Sequence, residues 1–116
     1  EKLSAIGKHD EAEKVFRKII EADPNNSIAY NDLAYILWQK SRLHEAKNVI
    51  LEAVKLSPDN RNIIWNLGVI LSVSGFYDKA KQILQSYLKQ YPNDKDMINF
   101  ISTPPDKIER LKKIIQ

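Results

Sequence analysis

The chain has 116 residues, a net charge of +3, an apolar share of 43% and a charged share of 28%. That is enough for one domain with one continuous core, in an ordinary globular balance whose mildly basic sign alone implies no nucleic-acid partner. No cysteine and no apolar run of about 18 residues are present, which excludes a disulfide framework, thiolate chemistry and a membrane-spanning helix.

Taken in order, residues 1–6 carry Leu3 and Ile6 without a helix start. They read as the back half of a helix in an excised fragment, and Gly7 is expected to break it. Glu11 to Ala22 is amphipathic: Ala12, Val15, Phe16, Ile19 and Ile20 recur at three- and four-residue steps, and Asp10/Lys14 and Glu13/Arg17 pair at i,i+4 on the other face. Pro24 ends it, and Asn26 is placed to cap the next helix. The pattern then predicts helices over 27–40 and 43–56, separated by a turn at Ser41. It predicts helices again over 61–74 and 77–90, separated by a turn at Gly75. A shorter helix follows in 95–103. Thr103-Pro104-Pro105 stops that helix, and Asp106 to Ile115 forms a last one with Ile108, Leu111, Ile114 and Ile115 along one side.

These segments are copies of one another. At a shift of 34 residues, Tyr30, Leu33, Ala34, Leu37, Ala46, Ile50 and Pro58 fall on Ile64, Leu67, Gly68, Leu71, Ala80, Leu84 and Pro92. Ala12, Phe16 and Pro24 lie on the same grid. The caps repeat as well, with Asn26, Asn60 and Asp94 each two residues after a proline. A period of this length means stacked helical units, none able to bury its apolar face alone. Small Ala34, Gly68, Ala46 and Ala80 stand where helices must approach closely, beside bulky Leu33, Leu37, Leu67 and Leu71.

The motif Tyr30-x₂-Leu33-Ala34-x₂-Leu37, Ala46-x₃-Ile50, Pro58, and its copy Ile64-x₂-Leu67-Gly68-x₂-Leu71, Ala80-x₃-Leu84, Pro92, resembles the tetratricopeptide repeat. Tyr or Ile stands in the family's tryptophan place, and Leu in its tyrosine place. The resemblance implies an all-α fold, a right-handed α-solenoid of stacked antiparallel helix pairs, with about three repeats plus a C-terminal helix. Its divisions are 1–26 (partial repeat), 27–60 and 61–94 (repeats), 95–103 (partial repeat helix) and 104–116 (capping helix), within one domain 1–116. It also implies that the leading helices line a concave groove that binds peptides.

At about 100° per residue, Ile28, Asn31, Asp32, Tyr35, Trp38 and Gln39 turn away from the core side of the first leading helix. Asn62, Trp65, Asn66, Val69, Ser72 and Val73 do so in the next, and Asp96, Asn99, Phe100 and Thr103 in the last. Aromatic rings among asparagines, with Asp32 and Asp96 the only charges, have the composition of an interaction surface. Each tryptophan alone either lines the groove or packs between adjacent helices. Family members that grip a terminal carboxylate use Lys, Arg and Asn on this face. Asp32, Asn62 and Asn66 hold the matching places here, so an acidic C-terminal peptide is not the expected ligand. A neutral or weakly basic segment with apolar or aromatic anchors is expected instead.

No catalytic constellation emerges. His9 and His44 are single, each without a second ligand at metal spacing, and 93–96 lacks the glycine and distal glutamate of a calcium loop. Asn25-Asn26-Ser27 matches a glycosylation acceptor, but capping explains the same residues. Basic residues alternate with acidic ones, which argues against a nucleic-acid stripe. The reading is therefore a non-catalytic protein–protein interaction scaffold with no cofactor, no metal and no membrane insertion, expected in the cytoplasm. The alternative is a self-assembly module, in which the C-terminal helix or a neighbouring chain fills the groove or the uncapped ends.

Overall fold

The structure is a computed structural model. It describes residues 2–102, with side chains from Gly7 onward. Six helices follow one another: α1 (Lys2–Ala22), α2 (Ser27–Gln39), α3 (Leu43–Leu56), α4 (Arg61–Val73), α5 (Tyr77–Gln90) and α6 (Lys95–Ile101). The 104–116 capping helix expected from the sequence lies outside the described residues.

The three prolines set the boundaries between units by one device. Asn26, Asn60 and Asp94 each return a backbone N–H to the carbonyl of Asp23, Ser57 and Tyr91, three residues back, at 3.1–3.3 Å. Pro24, Pro58 and Pro92 thus occupy the second place of a four-residue turn, where a fixed φ is already correct. The same polar residues then cap the next helix. Asn26 Oδ1 accepts from the Ala29 N–H, Asn60 Oδ1 from those of Asn62 and Ile63, and Asp94 Oδ1 from that of Met97.

The turns within each hairpin also share a design. Ser41 and Gly75 adopt positive φ (62° and 92°), and the residue after each sends its N–H back to Leu37 and Leu71 respectively. This is a left-handed C-terminal cap, which turns the chain sharply into the following helix.

The helices stack in sequence, each packed on its chain neighbour, and the leading helices α2 and α4 also touch directly. One core runs through the stack. Leu33, Leu37, Ile50, Leu67, Leu71 and Leu84 are buried in it, and Ala34, Ala46 and Ala80 are the close-approach points expected of small residues. Gly68 is another: a Cβ there would meet Leu84 Cδ1 at 3.1 Å and Phe100 Cε1 at 3.3 Å. We expect Gly68→Leu to cost about 1–3 kcal/mol by overpacking, read as a fall in melting temperature. An unchanged melting temperature would mean that α4 does not meet α5 and α6 at this point.

Two sequence expectations need correction. Gly7 does not break the first helix, which runs unbroken from Lys2 to Ala22. A helical glycine costs only about 1 kcal/mol relative to alanine, too little by itself to end a helix. Asp10 does not pair with Lys14 but reaches Lys40 on the next unit. Glu13 does pair with Arg17 as expected and also leaves its own helix: Oε1 accepts from Lys40 Nζ at 2.7 Å and from Arg42 Nη1 at 2.8 Å. Burial would raise the Glu13 carboxyl, but the bonds from Lys40 and Arg17 and the charges of Arg42 and Lys40 overcome it and hold it near 2.

A second polar tie lies one unit on. Arg61 grips Asp94 through Nε (2.8 Å) and Nη2 (3.2 Å) and reaches Asp96 as well, while the Tyr87 hydroxyl donates to Asp94 at 3.0 Å. At the place equivalent to Arg61, Ser27 instead shares a 2.7 Å hydroxyl–hydroxyl bond with Ser57.

Candidate peptide-binding face

The face in question is carried by α2, α4 and α6. Its register follows from two contacts. Asn66 Nδ2 donates to Asn31 Oδ1 at 2.9 Å, joining α2 to α4. The Trp65 and Phe100 rings meet edge-on with centroids 4.9 Å apart, joining α4 to α6. The repeat spacing carries Asn31 onto Trp65 and Asn66 onto Phe100. One geometric contact between consecutive leading helices is therefore made twice, once by two amides and once by two rings.

Eight of the expected groove residues keep accessible surface. Ile28 and Tyr35 are exposed (53% and 39%), unusual for such side chains, and Asn62 is exposed too. Asn31, Asp32, Gln39, Trp65 and Asn66 are half-buried. The other three are closed off. Trp38, Val69 and Val73 are 3%, 6% and 9% exposed, and Ser72 and Phe100 are buried with them.

The reason lies in two places. Trp38 takes the packing alternative: its ring meets Tyr35 edge-on at 5.7 Å, and its indole N–H is buried with no acceptor among the described residues. Val69 and Val73 belong to α4, which packs on α2, α3 and α5. The stretch from Asn62 to Val73 carries no charge at all. A helical stretch that is apolar on nearly every side, as 67–73 is, is a buried one, and that signal in the sequence outranks a division by face.

The electrostatics of the face are sparse. Asp96 is held by Arg61. Asp32 makes no hydrogen bond or ion pair with any described residue, and burial alone pushes its carboxyl upward. The described cations in ion pairs, Arg17, Lys40, Arg42, Lys55 and Arg61, spend their charge on Glu13, Glu45, Asp10, Glu52, Asp94 and Asp96. Among the described residues no group of acidic or histidine side chains could hold a metal, and no helix is long and apolar enough to cross a membrane.

Sequence reasoning missed the ties centred on Glu13 and Asp94, because each joins residues about 30 positions apart that no periodic pattern singles out. It also missed a cleft of about 280 Å³ between α3 and α5, lined by Val54, Pro58, Ile64, Ile83 and Tyr87.

The stacked hairpins, with proline turns and small contact residues on a 34-residue grid, have a counterpart among known families. The tetratricopeptide repeat matches residues 3–60, and a second tetratricopeptide-repeat pattern matches residues 38–101. The chain belongs to the tetratricopeptide repeat family. No curated protein matches it in sequence. In this tetratricopeptide domain α2–α3 and α4–α5 are the two hairpins described in full, and α6 is a further leading helix.

Proposed function

We propose that this tetratricopeptide domain is a non-catalytic scaffold that holds a peptide segment of a partner against the face of α2, α4 and α6. Tetratricopeptide repeats mediate protein–protein interactions, and that role extends to this chain through its family. The observation that carries the finer reading is the exposure of Ile28 and Tyr35 beside the half-buried Trp65 and the Asn31–Asn66 bridge. Apolar and aromatic side chains left in water next to unsaturated amide groups gain most from a guest with apolar anchors and a peptide backbone. Of the eleven groove residues read from the sequence, Ile28, Asn31, Asp32, Tyr35, Gln39, Asn62, Trp65 and Asn66 are the proposed contacts. Trp38, Val69 and Val73 support them from beneath.

The test is a pull-down of partners or library peptides with the chain and with a Tyr35→Ala/Trp65→Ala variant. Truncating two aromatic contacts is expected to weaken capture by about tenfold or more. Circular dichroism should show the variant still folded. Equal capture by a folded variant would move the binding surface elsewhere, with the α3–α5 cleft the next place to look.

A further inference from the structure

The joint between α1 and the α2–α3 turn has a counterpart one repeat on, between α3 and the α4–α5 turn. At a shift of 34 residues Asp10, Glu13, Lys40 and Arg42 fall on His44, Lys47, Ser74 and Phe76. Both sides of the second joint lie within the described residues. In the first joint Lys40 pairs with Asp10 and Glu13, and Arg42 pairs with Glu13. In the second, the places of the two acids hold His44 and Lys47, and the places of the two cations hold the uncharged Ser74 and Phe76. Ser74 is also far shorter than Lys40, which leaves space. The result is an open cavity of about 340 Å³, lined by Leu43, His44, Lys47, Val73, Ser74 and Phe76, with no carboxylate among them. Lys47 is half-buried, and its ammonium lies 4.6 Å from the centre of the Phe76 ring. It makes no ion pair with a described residue. The Ser74 hydroxyl is buried without a hydrogen-bond partner among the described residues. The Phe76 ring is 45% exposed.

We propose that this joint binds the side-chain carboxylate of a glutamate or aspartate in a partner polypeptide, with an apolar neighbour of that residue resting on the Phe76 ring. Lys47 carries three N–H donors, and a ring face engages only one side of the ammonium. A cation partly withdrawn from water gains a charge-assisted bond from a carboxylate beside it. The Ser74 hydroxyl supplies a second donor that has no other use. His44, exposed at the mouth and touching Asn48 one turn along, adds a ring nitrogen. The wet face of Phe76 gains from an apolar cover. A carboxylate is the anion to expect, because at the equivalent joint the carboxylates of Asp10 and Glu13 stand between the same two elements in the same register. The site is separate from the groove on α2, α4 and α6. Val73, which is closed off from that groove, is the one groove candidate among its lining residues. The inference therefore does not rest on the groove reading.

The experiment titrates the isotope-labelled full chain with a short end-blocked peptide of sequence Gly-Phe-Glu-Gly and with its Gly-Phe-Gln-Gly counterpart, and follows the backbone amides by NMR. We expect saturable shifts at His44, Lys47, Ser74 and Phe76, with the Glu peptide binding about fivefold more tightly than the Gln peptide. Lys47→Gln should level this preference and Lys47→Arg should keep it. The groove variant Tyr35→Ala/Trp65→Ala should leave it unchanged. Each variant is checked for an unchanged circular dichroism spectrum. Absence of saturable binding, equal affinity for the two peptides, or a preference that survives in folded Lys47→Gln overturns the site and leaves the groove reading standing. A Glu preference lost in the folded groove variant places the acidic contact in the groove and overturns the site as well.

Discussion

Leu67→Ala is expected to destabilise the domain by about 2–5 kcal/mol, the range for truncating a leucine in a close-packed core. Leu67 has no exposed surface and sits in the central helix of the stack, one residue before the Gly68 contact with Leu84 and Phe100. Relaxation into the space left behind requires α4 to shift against α2, α3 and α5 together, so the cost should lie well inside that range rather than at its lower end. For a chain of this size each kcal/mol moves the melting temperature by about 4–8 °C. Ile28→Ala, at an exposed site, should stay within about 0.5 kcal/mol of the parent. Thermal melts of the two variants side by side decide the matter. If Leu67→Ala melts with Ile28→Ala, there is no common core through α4, and the stacked architecture fails with it.

Acid should unfold the domain through Glu13 and Asp94. Both carboxyls sit near 2 in the folded chain, below ordinary values of 4.5 and 3.8. At Asp94 the Arg61 guanidinium does most of this, against burial, with help from the Met97 N–H and the Tyr87 hydroxyl. A depressed carboxyl contributes stability that is fully present above its unfolded pKa and is lost as the pH falls through the folded one. Stability should therefore be flat down to about pH 5 and fall steeply between about pH 4.5 and 2. Glu13 accounts for on the order of 2 kcal/mol of that fall, after allowing for solvent screening of its partly exposed partners Lys40 and Arg42. Glu13→Gln should lower stability at pH 7 and flatten the acid limb. Denaturant titrations of both proteins from pH 7 to pH 2.5 test it. Identical curves would show that the tie between α1 and the α2–α3 turn contributes nothing.

Much of the architecture is legible in the chain because it rests on local rules applied three times over. Proline in a turn, an Asn or Asp two residues later as cap, and a small residue where helices cross each depend on a few neighbouring residues. The grid repeats them until chance is excluded. Gly7 misled because a single glycine is only a weak helix breaker when nothing else demands a turn. The candidate face was less legible. Dividing a helix at 100° per residue assumes one wet side along its whole length, and from Leu67 to Val73 every residue of α4 is buried.

The sequence by itself determined the repeat, the hairpin, the caps and the family, since each is a relation between residues near in the chain or spaced by one constant period. Only the tertiary structure decided which residues of the leading helices stay in reach of a partner. It closed Trp38, Val69 and Val73 and left Ile28 and Tyr35 open, because burial depends on how many helices surround a position. It also decided that Glu13 answers Lys40 and Arg42 rather than its own helix alone. Charge pairing between stacked units is set by the distance and angle of their packing, and no pattern along the chain encodes those.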